Sequence, residues 1–184
     1  ILADQLAIAI INAELYTSTQ ETLAQHRFLH QISAAASSSQ NVDDALRTTA
    51  QGMQVARKED RVSIHIMNHR GELLLAAMAG YPAGQRPAEV IPMGEGIIGR
   101  VAIEKRPSRV ADVLTDPYYV PTDDAIRSEL AVPIIYTDRL LGVLNLESEK
   151  VAAYNENDEE ILSTMAANLG SIIANAQLVA QVQH

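Results

Sequence analysis

Apolar residues recur at three- and four-residue steps at both ends of the chain and alternate with polar ones through its middle. Near the end, Leu162, Met165, Ala166, Leu169, Ile173, Ala176 and Ala180 form one stripe at helical spacing. Near the start, Leu2, Leu6, Ala9, Ala13 and Tyr16 form a similar stripe, and Ile8, Ile11 and Leu15 add a second. A helix apolar on two sides needs cover on two sides. Chain punctuation supports long helices at both ends. All seven prolines fall between Pro82 and Pro133, the first glycine is Gly52, and only Gly142 and Gly170 follow Pro133. Residues 1 to about 50 and 155 to 184 are thus free of strong helix breakers.

Between the ends the pattern is mixed. Asn41, with Asp44 three positions on, predicts a capped helix through Val42, Ala45, Leu46, Thr49 and Met53. Arg61 to Asn68 reads as a β-branched strand, His69-Arg70-Gly71 as its turn, and Glu72 to Ala79 as the return strand. Glu89 to Met93 predicts a short strand, Ile97 to Glu104 a short helix stopped by Pro107, and Ser108 to Asp112 another short strand. Residues 113 to 126 read as an irregular acidic loop. Ser128 to Tyr136 and Leu140 to Ser148 predict a hairpin, in which Pro133 calls for an edge or a bulge. Alternation there puts Leu130, Val132 and Ile134 on one face and Glu129, Ala131 and Ile135 on the other. Asn155 caps the last helix, with Glu156, Asp158, Glu159 and Glu160 suited to its positive end. Hairpins flanked by segregated helices predict an α+β fold around one antiparallel sheet.

An internal repeat bears on domain organisation. Residues 1–15 aligned over 164–178 match at six of fifteen positions without a gap, Ala3, Leu6, Ile10, Asn12, Ala13 and Leu15 against Ala166, Leu169, Ile173, Asn175, Ala176 and Leu178. The expectation is that 1–16 is the tail helix of a preceding domain, 17–40 a connecting helix, and 41–184 the domain itself. A continuous rod over residues 1–36 would extend about 54 Å, and a bend at Thr17-Ser18-Thr19 is the alternative. The rod's exposed apolar surface predicts parallel homodimerisation through Leu2, Leu6, Ala13, Leu169, Ile173 and Ala176.

Composition narrows the function. The 184 residues carry 14 Lys plus Arg against 23 Asp plus Glu, a net charge of −9, which argues against binding nucleic acid backbones. There is no cysteine, so disulfides, thiolate metal sites and cysteine nucleophiles are absent. The apolar opening is too short to span a bilayer and is broken by Asp4, Asn12 and Glu14, so no membrane insertion by this segment and a cytoplasmic location are expected.

Several motifs occur together in order: Gly94-x-Gly96-Ile97-x-Gly99-Arg100-Val101-Ala102, Asp112-Val113, Asp116-Pro117, Ser128 to Ile134, and Leu141-Gly142-Val143-Leu144. In these the chain, from about Ala24 to Gln183, closely resembles the GAF domain, a small-molecule-sensing and dimerising module of histidine kinases, cyclases, phosphodiesterases and phytochromes. The resemblance implies a PAS-related six-stranded antiparallel sheet, with long N- and C-terminal helices packed on one face and a ligand pocket on the other. It identifies residues 41–184 as the GAF domain and makes 1–16 the tail of what would be another. Family position puts Met93, Ile97, Asp112, Asp116, Tyr118, Tyr119, Arg127, Ser128 and Glu129 at the pocket.

The function this implies is a regulatory module of the kind found in two-component systems, which binds an unknown small molecule or dimerises to control adjacent domains of the same polypeptide. A scaffold that only dimerises and spaces is the alternative. One branch of the family reduces free methionine sulfoxide with cysteines, which this chain lacks, and no G-x-S-x-G elbow or nucleophile signature lies near His65 and His69, so the chain is expected not to be an enzyme and to have no catalytic residues. Bilin attachment also uses a cysteine, so no covalent cofactor is expected. A noncovalent haem on His65 is disfavoured, because His65 and His69 lack the spacing of a helical metal pair and no metal site is expected. Lys150, Tyr154, Asp158 and Glu159 echo the tail of a cyclic-nucleotide motif, but the last two are accounted for as helix-start acids.

Overall fold

A computed structural model describes residues 2–37, 41–58, 60–121 and 123–182. The elements in chain order are α1 (Leu2–Ser37), α2 (Val42–Ala56), β1 (Arg61–Met67), β2 (Glu72–Ala79), β3 (Val90–Pro92), α3 (Gly96–Glu104), β4 (Ser108–Val110), a 3₁₀ turn (Val113–Thr115), β5 (Ser128–Tyr136), β6 (Arg139–Ser148) and α4 (Glu156–Val182). The strands form one antiparallel six-stranded sheet in the order β3-β2-β1-β6-β5-β4.

Local chemistry explains the boundaries. The Asn41 side chain accepts the Asp44 N–H at 2.8 Å and starts α2. At α4, Asn155 accepts the Asp158 N–H at 3.1 Å and Asp158 accepts the Asn155 N–H at 2.9 Å, a reciprocal cap. The β5–β6 turn holds Thr137 and Asp138 at φ 46° and 64°, the left-handed pair that suits a two-residue hairpin loop. Pro133 lies on β5 beyond the end of β4, which pairs only with Glu129, Leu130 and Ala131, so its missing N–H leaves no ladder bond unmade.

Strand alternation divides two cores. Val62, Ile64, Leu130, Val132, Leu144 and Leu146 face Leu46 and Met53 of α2 and Leu162, Met165 and Leu169 of α4. On the other face Leu73, Ala131 and Val143 meet Ile97, Val101 and Ala102 of α3, with Val113 and Ile126. Gly170 lets α4 approach β5, since a Cβ there would come within 2.7 Å of the Ile135 carbonyl oxygen.

The first helix is continuous, as expected, but it is not the helix beside α4 on the sheet. It runs unbroken through Thr17 and Thr19, whose hydroxyls donate to Ala13 and Leu15 carbonyls at 2.9 and 2.7 Å. It meets α2 and α4, with Ala36 buried, while every described side chain from Gln5 to Gln20 is exposed; it is α2 that lies beside α4 on the sheet. Of the dimer-helix candidates, Leu6 (65% exposed) and Ala13 are free on α1, whereas Leu169 and Ile173 are consumed by the domain's own core and Ala176 is half-buried. The side chain of Leu2 lies outside the described residues. Among the described residues no helix is long and apolar enough to cross a membrane.

Gly142 tests the packing of the central strands. A Cβ there would fall on the His65 carbonyl oxygen of the neighbouring strand. Gly142→Ala is expected to cost about 2 kcal/mol and lower Tm by about 4–8 °C, measured by thermal denaturation.

Candidate functional site

Odd-numbered positions of β1, and those opposite them on β6 and β5, face α3 and the loop after β4. Near the centre of that face the apolar pattern gives way to polar side chains. Arg61 is opposite Glu147, and Glu147 is opposite Glu129, so one row across β1, β6 and β5 reads Arg-Glu-Glu. The next row sets Ser63 opposite Asn145, and His65 follows on β1. All of these are buried.

The two glutamates dominate the electrostatics. Carboxylates directly opposite on neighbouring strands repel. Burial raises the Glu129 pKa well above its ordinary value, and the Glu147 charge raises it further. Burial raises Glu147 as well, opposed by the Tyr81 hydroxyl, which donates to Glu147 Oε2 at 3.1 Å, and by the nearby Arg61 charge. Among the described residues no cation pairs with Glu129.

Further polar atoms lack partners. His65 Nε2 must donate to the Ala88 carbonyl at 2.9 Å, which fixes the tautomer and leaves Nδ1 as a bare acceptor. Burial lowers the His65 pKa, so the ring stays neutral. Besides His65 Nδ1, the buried Ser63 hydroxyl and both atoms of the Asn145 amide have no hydrogen bond; Asn145 lies beside Glu129 without reaching bonding geometry. Each buried polar group left unpaired costs about 1–3 kcal/mol, so a cluster of them calls for an occupant or water.

A cavity of about 80 Å³ opens over this row, between the carboxyls of Glu129 and Glu147, the start of α3 (Glu95, Gly96, Ile97, Ile98), Ala88, Val90 and Ile91, and Tyr119 and Val120 of the loop. It has room for several waters or for the polar head of a small ligand that extends out of it. The first turn of α3 carries the N–H groups and partial positive charge of a helix start.

The expected pocket residues fall into three sets. Ile97, Tyr119 and Glu129 line the cavity. Asp116 and Tyr118 hold the loop instead: Asp116 accepts from Arg100 at 3.4 Å and from the Tyr118 N–H at 2.8 Å, and the Arg100 guanidinium lies 4.6 Å from the centre of the exposed Tyr118 ring. Met93, Asp112, Arg127 and Ser128 are elsewhere. Met93 is exposed, Asp112 and Arg127 pair with each other at 2.9 Å, and Ser128 is on the helix-facing side of β5, donating to the Lys150 carbonyl at 2.7 Å. The sequence reading missed Glu147, Asn145, Ser63 and Tyr81. For Ser63, Asn145 and Glu147 the signal was polar residues in β1 and β6 at positions where a second core face would be apolar; Tyr81, beyond the end of β2, carried none. Among the described residues no group of three or more His, Asp or Glu side chains could hold a metal ion.

The GAF domain family model matches residues 39–174. The chain belongs to the GAF domain family. Its relatives are diverse. YtsP of Bacillus subtilis is 30% identical over 123 residues, 67% of each chain. The free methionine-R-sulfoxide reductase of Escherichia coli is 27% identical over 84 residues, 46% of this chain and 51% of that protein. The Nif-specific regulatory protein of Herbaspirillum seropedicae is 27% identical over 77% of this chain, which spans only 28% of its length. Among solved structures, the GAF domain of a Coxiella burnetii phosphoenolpyruvate-protein phosphotransferase superposes with TM-score 0.78 at 27% identity, covering 85% of this chain and 96% of that one. The free methionine-R-sulfoxide reductase of Neisseria meningitidis, in complex with its substrate, gives 0.77 at 26%, covering 84% and 91%. GAF domains thus serve both regulatory proteins and enzymes. The expectation that this chain is not an enzyme is corrected by the reductases, which match it in sequence and in fold. Lack of cysteine removes one kind of nucleophile; it does not remove the fold that this chain shares with such enzymes.

The buried carboxyls set a pH test. A carboxyl whose folded pKa is raised keeps its proton in the native state to a higher pH than in the unfolded chain, so stability falls as pH rises from the unfolded value, near 4.5, through the folded one. Glu129→Gln removes that cost. Its Tm is expected to exceed the parent's by at least about 2–4 °C at pH 7.5 and to converge with it below pH 4. Equal melting temperatures at pH 7.5 would contradict the buried-charge description.

Proposed function

We propose that this chain is a regulatory GAF module whose cavity binds a free amino acid or a similar small zwitterion. The observation carrying this reading is the buried Glu129–Glu147 pair, which faces the cavity without a cation of its own. An ammonium group would offset one ionised carboxyl of the pair, the other keeping its proton, where water is scarce and the gain is large. The start of α3, across the cavity, suits a carboxylate, and the unpaired Asn145, Ser63 and His65 beneath suit a further polar group. The name of the free methionine-R-sulfoxide reductases supports the same class, since a free amino acid carries both charges. Methionine sulfoxide is therefore the first ligand to test.

In this reading α1 is the lever. The GAF domain proper begins at residue 41, residues 17–40 connect, and 1–16 with their exposed apolar side chains join a preceding domain or a second copy. Ligand binding that favours one arrangement of the loop over the cavity by tenfold supplies about 1.4 kcal/mol to bias adjacent domains.

Calorimetric titration of the chain with L-methionine sulfoxide and other free amino acids tests the proposal. Binding is expected to require the free ammonium, so the N-acetyl derivative should fail, and Glu129→Gln should weaken affinity by at least about tenfold. Because the ligand selects an ionised carboxyl, affinity should rise from pH 5 to pH 8 with proton release. Equal binding of the N-acetylated form, or no heat from any amino acid, defeats the proposal. Following sulfoxide consumption with dithiothreitol in the same samples reports whether turnover accompanies binding.

A further inference from the structure

The sheet register sets Arg61 directly opposite Glu147 on the cavity face, yet the guanidinium does not pair with that glutamate. It reaches instead to Asp123, in the loop after the 3₁₀ turn, and to Glu149 at 2.9 Å. Arg61 is almost wholly buried, and the Tyr81 ring centre is 5.9 Å from it while the Tyr81 hydroxyl is bonded to Glu147. The acidic groups around Arg61 are thus Asp123, Glu149 and Glu147, and only the first two hold it.

Arg100 occupies an analogous position at the other end of the loop. It grips Asp116 and covers Tyr118, while Tyr119 and Val120, next in sequence, line the cavity. Its charge and that of Asp116 are both felt by Glu129, in opposite senses. Two arginines pin the described loop residues 116–121 and 123–126, and each has a buried glutamate as a competing partner.

We infer that Arg61, with Arg100 as its counterpart, is a positioning residue of a charge-exchange latch, which holds the loop over the cavity when the glutamates are neutralised and loosens it when they carry unpaired charge. An ionised, unliganded Glu147 draws Arg61 away from Asp123. A cation at the glutamates removes that pull, and repulsion from the cation returns Arg61 to the loop. The latch takes from the proposed function only that the cavity is the binding site, and its decisive comparison needs no ligand.

Native-state hydrogen exchange of the full chain, without ligand at pH 7.5, decides it. The reporters for Arg61 are the amides of Ala125 and Ile126, which bond to the Asp123 side chain and carbonyl at 2.9 and 3.2 Å. Those for Arg100 are Tyr118 and Tyr119, bonded in the same way to Asp116 at 2.8 and 3.3 Å. Glu147→Gln is expected to slow the first pair roughly threefold and Glu129→Gln the second, with β5 and β6 amides as reference, the scale of one part-buried ion pair. Arg61→Gln should speed the first pair, and Arg61→Lys should restore part of the protection. A purely structural arginine predicts no response to the glutamate variants; unchanged loop exchange in both therefore overturns the latch, even where Arg61→Gln does not fold. Adding L-methionine sulfoxide to the parent chain should mimic Glu147→Gln. If the glutamate variants slow the loop and that probe does not bind, the latch stands and the choice of ligand fails.

Discussion

Two like charges held opposite each other inside a sheet are the constraint around which the rest of this molecule is arranged. Glu129 and Glu147 face one another across β5 and β6 where an apolar pair would be more stable. Around them the polar row extends to Arg61, Ser63, Asn145 and Tyr81, and the cavity opens above. The helix-facing side of the same strands is conventionally apolar and closed by α2 and α4. The sheet is thus stabilised from one face and left incomplete on the other, an arrangement typical of sites that trade stability for binding.

The distribution of arginines follows from the same pair. Burying a third charge against Glu147 would close the site permanently. Instead, Arg61 and Arg100 spend their charge on the loop aspartates, with the glutamates within electrostatic reach. In the proposed latch, occupancy of the cavity and position of the loop would be one equilibrium, which a ligand would shift by its differential affinity for the two arrangements. The helix layer on the other face connects the sheet to α1, since α4 packs on β5 and α1 rests on α2 and α4.

Much of the fold was legible because its signals are local. Asn41 with Asp44 and Asn155 with Asp158 mark helix starts through their own hydrogen bonds, and the confinement of proline between Pro82 and Pro133 separates helical ends from a strand-rich middle. Glu129 was legible by alternation. Its partner was not, for a definite reason. Counting back from the two-residue turn pairs Tyr136 with Arg139 and Ile135 with Leu140, and continuing in that register would put Leu146 opposite Glu129. An irregularity between Ile134 and Ile135 shifts the pairing by one, to Ile134 with Gly142, and brings Glu147 into place. Loop side chains failed differently. Tyr118, Asp112 and Arg127 depend on ion pairs and ring contacts distant in sequence or on loop geometry, and no periodicity encodes these.

The central claim is a statement about two carboxyl groups, and it is read most directly from their own titration. Carbon-13 chemical shifts of the Glu129 and Glu147 carboxyls, followed from pH 3 to 9 in the ligand-free chain and assigned by Glu→Gln substitution, should show both titrating above the ordinary glutamate value near 4.3, with Glu129 displaced further and responding to the loss of Glu147. Two independent transitions at or below that value would mean that the charges are already solvated or paired, and that the cavity is not organised to receive a cation.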